Sequence, residues 1–418
     1  SLLESVTRFS IQRPLWIVGP AALLVVVAFV GTSLVRVDND NLAFFPEDSA
    51  LVTATNEVNK NMAGTNDLNI LVEDFSGQEE PLKEPTKLQA IADLASFLET
   101  KPDVGKVLDI SALVRRVSLV LHDGDPAFDR IPHQTERVEY TELEERDGRQ
   151  VEVTKTREFP GRDAVAQYLF LYESAGGDTL SDVVDNEYRM ANLRILLTTN
   201  SSHETSLLED EVRRFVADRF PSDLRIRFTG PAGVLVAATE EVVHGQITSL
   251  ALSALLVFFI LLLTFRSLKY GSVALIPLVG TLFVNFAIMG FFDIPLDVGT
   301  AVIASIVIGI GVDYSIHYLK RLNAGLERGM SFDDSVLNAV RYSGKAIAFN
   351  ALVVGIGFTA MLFSVMTPLV TVGWMIALTM LVSAAATILL LPASLSLFRR
   401  KSDAISDELA EATPSPSS

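Results

Sequence analysis

Six stretches of this chain are long and apolar enough to cross a hydrocarbon core, and nothing else in the sequence constrains its fold as much. A crossing takes about 20 helical residues. The stretches run Leu15 to Leu34, Gln246 to Phe265, Ser272 to Phe292, Gly299 to Leu319, Ala346 to Met366 and Leu369 to Leu397. Backbone polar groups find no water in lipid, so each stretch is predicted to be a helix. Averages conceal this: the 418 residues are 49% hydrophobic and 20% charged, but the two kinds are segregated along the chain. The first stretch does not read as a secretory signal, because its apolar run is too long and no small-residue cleavage site follows.

Basic residues in short loops set orientation. Arg8 and Arg13 precede the first span, Arg266 and Lys269 separate the second from the third, and Arg399, Arg400 and Lys401 follow the sixth. Lys320, Arg321, Arg328, Arg341 and Lys345 lie between the fourth and fifth. The loop between the third and fourth carries only Asp293 and Asp297, and the one between the fifth and sixth carries no charge. All basic loops fall on one side, which places both termini in the cytoplasm of a multi-pass plasma (bacterial inner) membrane protein. The expected organisation is a cytoplasmic segment over 1–13, a first membrane helix over 14–35, an extracytoplasmic domain over 36–245, five further helices over 246–397 and a cytoplasmic tail over 398–418. "SFDDSVLNAVRY" predicts an interfacial helix over about 331–342, with Ser331 and Asp334 as a capping box and Phe332, Val336, Leu337 and Val340 on one face. The tail from Ser402 is acidic and then Pro/Ser-rich, a composition expected to be disordered.

The long polar excursion is predicted to be α+β. "NDLNILVE" alternates Leu68, Ile70 and Val72 as a half-buried strand does, "LQAIADLASFLET" has helical spacing, and "VGKVLDI" returns to strand. The order recurs in "ANLRILLTT", "LLEDEVRRFVADRF" and "DLRIRF". Two βαβ units suggest a pair of split-βαβ subdomains. Between them "VEYTELEERDGRQVEVTKTREF" reads as a hairpin turning at Asp147 and Gly148, either a solvated arm or a docking element.

Several function classes are excluded or disfavoured. A formal charge of -17 argues against nucleic acid as partner. The absence of Cys removes disulfides, thiolate nucleophiles and Cys-based metal sites. His122, His133, His203 and His244 lack metal-ligand spacing and read as surface histidines, so neither metal nor cofactor is expected. Gly309 and Gly311 lie inside a lipid-length helix and make no phosphate loop. The chain does not read as an enzyme.

The fourth span carries the informative residues. Ala301, Ser305, Gly309, Asp313 and His317 recur every four positions and share a helix face, with Gly311 and Tyr314 beside it. Small residues on such a ridge let another helix approach closely, so this face is expected to be buried against protein. An aspartate at membrane depth costs about 2.5–3.5 kcal/mol on insertion scales. Two readings stand. The carboxyl takes up and releases a proton, coupling proton flow to movement, or it pairs with His317 or a basic residue and locks the bundle. Asn285, Asn350 and Ser364 in other spans are expected to form interhelical hydrogen bonds.

"GIGVDYSIHYLKR", "FRSLKYGSVALIPL", "GKAIAFNALVVGIGF", "LLLPASL" and "VDNDNLAFFPEDS" together resemble the resistance-nodulation-division superfamily, in its MMPL-type or predicted lipid exporter branch and in the form of that family's C-terminal half. The resemblance implies a six-helix half-bundle with a porter domain, driven by the proton-motive force and moving lipids or other hydrophobic molecules. It implies that Asp313 and Tyr314 form half of a proton relay; the residue pattern adds His317 as a candidate member and Ser305, Gly309, Gly311 and Asn350 as the packing around it. It also implies a second six-span half, fused upstream, supplied by a split partner or by a second copy, and leaves room for a periplasmic carrier or accessory protein. A chain starting at Ser1 rather than Met is expected of a fragment or processed product. The other functional reading is a non-pumping, sterol-sensing-like scaffold or receptor with the same fold.

Overall fold

A computed structural model describes the backbone of residues 2–146, 149–177 and 180–412, with side chains except those of 2, 138–154, 269 and 400–412. The elements, in chain order, begin with helices α1 (Leu2–Gln12), α2 (Leu15–Ser33) and α3 (Ala50–Asn61). Strand β1 (Asn66–Asp74), helix α4 (Pro85–Glu99), strand β2 (Val104–Leu108) and helix α5 (Ile110–Leu121) follow. Next come the paired strands β3 (Thr135–Arg146) and β4 (Arg149–Pro160), then α6 (Gly161–Ser174), α7 (Leu180–Val183), β5 (Met190–Leu197), α8 (Ser202–Arg219) and β6 (Leu224–Thr229). The rest is helical: α9 (Gly230–Phe265), α10 (Leu268–Phe291), α11 (Val298–Glu327), α12 (Phe332–Ala339), α13 (Lys345–Thr359) and α14 (Thr367–Ala412). The chain forms two compact units, a helical one over Ser1–Asn39, Ala43–Pro46 and Thr239–Ser418 and an α+β one over Asp40–Leu42 and Glu47–Ala238.

The two βαβ patterns do not make two subdomains. They interleave into one four-stranded sheet of order β2-β5-β1-β6, every neighbouring pair antiparallel. Each βαβ unit leaves a one-strand gap between its own strands, and the other unit fills it. The result is a single split-βαβ sandwich with one core. Pattern reading finds strands and helices but not which strands pair, and two identical patterns fit two small sheets as well as one. On the covered face Leu68, Ile70, Val72, Leu193, Ile195 and Leu197 are fully buried under Leu88, Ile91, Leu94 and Leu98 of α4 and Val212 of α8. Each such side chain contributes about 1.5–3 kcal/mol. The opposite face carries cross-strand ion pairs, Arg194 with Asp67 at 2.8 Å and Arg227 with Glu73 at 2.5 Å. The sheet is therefore apolar on one side and solvated on the other. Strands β3 and β4 pair from Thr135↔Pro160 to Arg146↔Arg149. The predicted turn at Asp147 and Gly148 lies outside the described residues.

A buried lysine holds the open end of the sheet. Lys87 Nζ donates to Asp74 at the end of β1 and, at 2.8 Å, to Asp223 just before β6. Burial alone would push the Asp74 carboxyl up, but hydrogen bonds from Lys87 and Ser76 outweigh it and hold the group below the ordinary carboxylate range. Burial likewise works against the Lys87 charge, and its bonds to Asp223 and Asp74 raise it above the ordinary lysine value.

In the helical unit six segments are long and apolar enough to span a membrane. Helix α9 starts at Gly230, earlier than the apolar run at Gln246, and its 36 residues reach about 54 Å at 1.5 Å each. Small residues set the closest packing. A Cβ at Gly290 of α10 would lie 1.8 Å from the Gly31 carbonyl oxygen of α2, and one at Gly31 would lie 2.8 Å from Ala287 Cα. Near the N-terminus α1 packs against the bundle: it buries Thr7, Ser10 and Ile11, and Ser396 Oγ of α14 donates to the Ile11 carbonyl at 3.2 Å. The segment predicted to be interfacial is joined to the fifth span. Ser331 caps α12 as expected, accepting from the Asp334 N–H, but a π-turn over Val340–Gly344 leads directly into α13. The sixth span continues as helix to Ala412, beyond the tail boundary expected at 398. Residues 413–418 lie outside the described chain.

Candidate functional site in the fourth membrane span

Helix α11 opens with a reciprocal cap in which the Thr300 N–H donates to Asp297 Oδ1 at 2.6 Å and the Asp297 N–H to Thr300 Oγ1 at 2.8 Å. One face then packs inward through Ile303, Val307, Tyr314, Tyr318 and Leu322. Gly311 belongs to this face. A Cβ there would meet Leu278 Cδ1 of α10 at 2.9 Å and Ser383 Oγ of α14 at 3.4 Å, so its hydrogen lets three helices close together.

The four-residue ridge takes the opposite face, and the described helices do not cover it. Ala301 is buried, but Ser305, Gly309, Asp313 and His317 are all exposed. A Cβ at Gly309 would meet nothing within 4 Å. Spacing assigns residues to a face and does not say which neighbour covers it; here α10 and α14 occupy the Gly311 side. Helix α9 meets the ridge near its start, where Gln246 Nε2 lies 3.5 Å from Ser305 Oγ. Asp313 forms no ion pair with His317 or any other base among the described residues.

Tyr314, His317 and Asn350 meet instead at a cavity of about 450 Å³ between α11 and the π-turn, lined also by Arg321, Tyr342, Ser343, Ala346 and Ile347. Asn350 Nδ2 donates to the Tyr314 hydroxyl at 3.5 Å, the long limit for such a bond. Ser343 Oγ donates to the His317 carbonyl at 3.3 Å. Arg321 stacks on the Tyr342 ring, its guanidinium carbon 4.5 Å from the centroid. Arg321, Tyr342 and Ser343 were not predicted as site residues. The first counted only as an orientation charge, and the π-turn that presents the other two leaves no mark on the hydrophobic pattern. Asn285 is buried in α10. Ser364 is no interhelical link: its Oγ accepts from the Met366 N–H in the loop before α14.

Further along the bundle α2, α10 and α14 line an open apolar cavity of about 610 Å³, walled by side chains such as Val18, Val25, Leu275 and Leu390. Among the described residues no group of three His, Asp or Glu side chains is placed to hold a metal ion.

Comparison with known proteins places this architecture. The sequence profile of the MMPL family matches residues 43–409. The chain belongs to the MMPL family. It is 22% identical over 408 residues to the putative membrane protein MJ1562 of Methanocaldococcus jannaschii, an alignment covering 96% of this chain and 94% of that protein. It is 26% identical over 273 residues to the apo-petrobactin exporter of Bacillus anthracis, covering 63% of this chain and 31% of the exporter. Over 98 residues it is 34% identical to the sulfolipid-1 exporter MmpL8 of Mycobacterium tuberculosis, covering 23% of this chain and 9% of that protein. The alignments thus span nearly all of the archaeal protein and about a third or less of the two exporters. With this family and six lipid-length helices, the chain is a polytopic helical membrane protein of a transporter family and not an enzyme.

Proposed function

We propose that this MMPL chain acts as one six-span half of a proton-driven transporter that moves lipids or other hydrophobic molecules. Asp313 is the group that gains and loses the proton, with Tyr314 and His317 completing the relay. The basic loops orient it with both termini in the cytoplasm and the α+β unit outside the plasma membrane.

The observation that carries this reading is the exposure of Ser305, Gly309, Asp313 and His317 on a membrane-spanning helix, with no ion pair on the acid. A polar ridge facing lipid is unfavourable, and ionisable residues inside membranes turn towards protein or a water-filled cavity. A second half laid against α11 supplies that cover, and Ser305 and Gly309 allow the close approach. A second copy of this chain is the simplest such half, since a two-fold axis would set ridge against ridge; a split partner or a fused half would cover it equally. The apolar cavity among α2, α10 and α14 suits a hydrocarbon cargo, and two relatives bear the names of exporters, one of a lipid.

The test is reconstitution into liposomes with an imposed pH gradient, following a fluorescent phospholipid analogue. Wild-type protein moves the analogue only while the gradient lasts, and Asp313→Asn, correctly folded, does not. Equal movement by the two proteins refutes the relay. Binding of lipid that ignores both gradient and substitution would favour the non-pumping scaffold.

A further inference from the structure

The cavity between α11 and the π-turn is walled by hydrogen-bond donors, and its lining contains no acid. Tyr314 and Ser343 contribute hydroxyls, Asn350 an amide, His317 a ring nitrogen and Arg321 a guanidinium, which is charged at every physiological pH. Arg321 is the decisive group. Its Nε–H is buried without a partner, although Tyr342 holds the guanidinium plane in place. No acid among the described residues pairs with Arg321, and Asp313, the nearest acid along α11, is not part of the lining. The residue as a whole is half-buried, so part of the guanidinium is open to the cavity, and an anion there would be the counter-ion that the lining does not supply.

Depth narrows the choice of acceptor. Seven residues separate Tyr314 from Arg321, a rise of about 10 Å. The cavity therefore runs from the basic end of the bundle, where headgroups lie, some way into the hydrocarbon. On α13, beside Asn350, the residues Phe349, Val353 and Ile356 share one exposed face. An amphiphile with an anionic head in the cavity would have its chains along that face.

We propose that this cavity is a binding site for a phosphate group, held in two-pronged fashion by Arg321 and completed by Tyr314, His317 and Asn350. Phosphate fits better than a carboxylate because its tetrahedral oxygens meet donors arriving from several directions, and the guanidinium fork matches two of them. The group comes either from a phospholipid headgroup of the adjoining leaflet or from free phosphate. The site does not depend on the chain being a pump, so binding can fail while transport survives, and the reverse.

Purified full-length chain in a phosphate-free maltoside detergent is titrated with phosphatidic acid or with diacylglycerol bearing the same acyl chains, and bound lipid is counted by native mass spectrometry. Phosphatidic acid should bind at least about tenfold more tightly than diacylglycerol, the size expected of charge-assisted hydrogen bonds. Arg321→Gln should erase that preference, and Arg321→Lys should keep part of it. Ser343→Phe, which fills the cavity and leaves every charge in place, should erase it too, and it carries the test if Arg321→Gln does not fold. Millimolar inorganic phosphate that displaces the lipid assigns the site to free phosphate; lipid that stays bound assigns it to the headgroup with its chains. Equal binding of the two lipids by wild-type protein overturns the proposal. So does a full preference surviving in folded Arg321→Gln.

Discussion

Asp313→Leu should make the isolated chain more stable while abolishing transport. On insertion scales an aspartate at mid-helix costs about 2.5–3.5 kcal/mol, whereas a leucine gains about 0.3–0.6 kcal/mol, a difference of about 3–4 kcal/mol. The position of the residue reduces this. Asp313 lies four residues past the middle of the Gly299–Leu319 span, about 6 Å towards the basic end, where the cost is lower than at the centre. A gain of about 1–3 kcal/mol remains, because the residue is exposed and has no partner whose loss would offset it. The assay is reversible unfolding of the full chain in bicelles at low protein-to-lipid ratio, where copies rarely meet. Asp313→Asn should show a smaller gain, since it loses the charge but keeps a polar group. A loss of more than about 1 kcal/mol in the Leu variant would refute the reasoning, because only a partner within the same chain could produce it. The gain should also shrink as protein density rises if copies cover each other's ridge, which separates intrinsic cost from assembly.

The α2–α10 crossing gives a sharper packing test: Gly290→Leu, whose Cβ would sit 1.8 Å from the Gly31 carbonyl, should cost about 1–3 kcal/mol or more in the same assay, whereas Gly280→Leu, with open space around it, should cost little. Lys87→Met strands buried Asp74 without its cation and should cost about 3–5 kcal/mol, read as faster hydrogen exchange of the Leu68–Val72 amides. The same triad sets a pH window. Asp74, held below its ordinary value, stabilises the fold above about pH 4 and loses that contribution as pH falls through its folded pKa; Lys87, held above its own, stabilises below about pH 10 and loses that as pH rises. Exchange protection of β1 should therefore be flat between these limits and drop beyond both, and Lys87→Met should lose the alkaline drop.

What the sequence disclosed and what it concealed divide along one physical line. Burial of a single element is written in its own residues, so the six spans, strands β1 and β5 with their alternating apolar faces, and the Ser331 cap were all legible locally. Partnership between elements is not. The interleaving of two βαβ units depends on β1 accepting β5 and β6 together, and no residue of β1 states that choice. The ridge on α11 meets the same limit. Ser305, Gly309 and Asp313 share one face, as their spacing predicts, but spacing does not say which helix covers that face. Gly311, two residues away, serves the packing that the chain satisfies by itself, against Leu278 and Ser383. One helix thus carries two packing surfaces, a closed one facing α10 and α14 and an open one bearing the acid. Gly309 has nothing within 4 Å of where its side chain would start, and Asp313 has no ion pair among the described residues, so this surface is the one on which the proposed second half is tested.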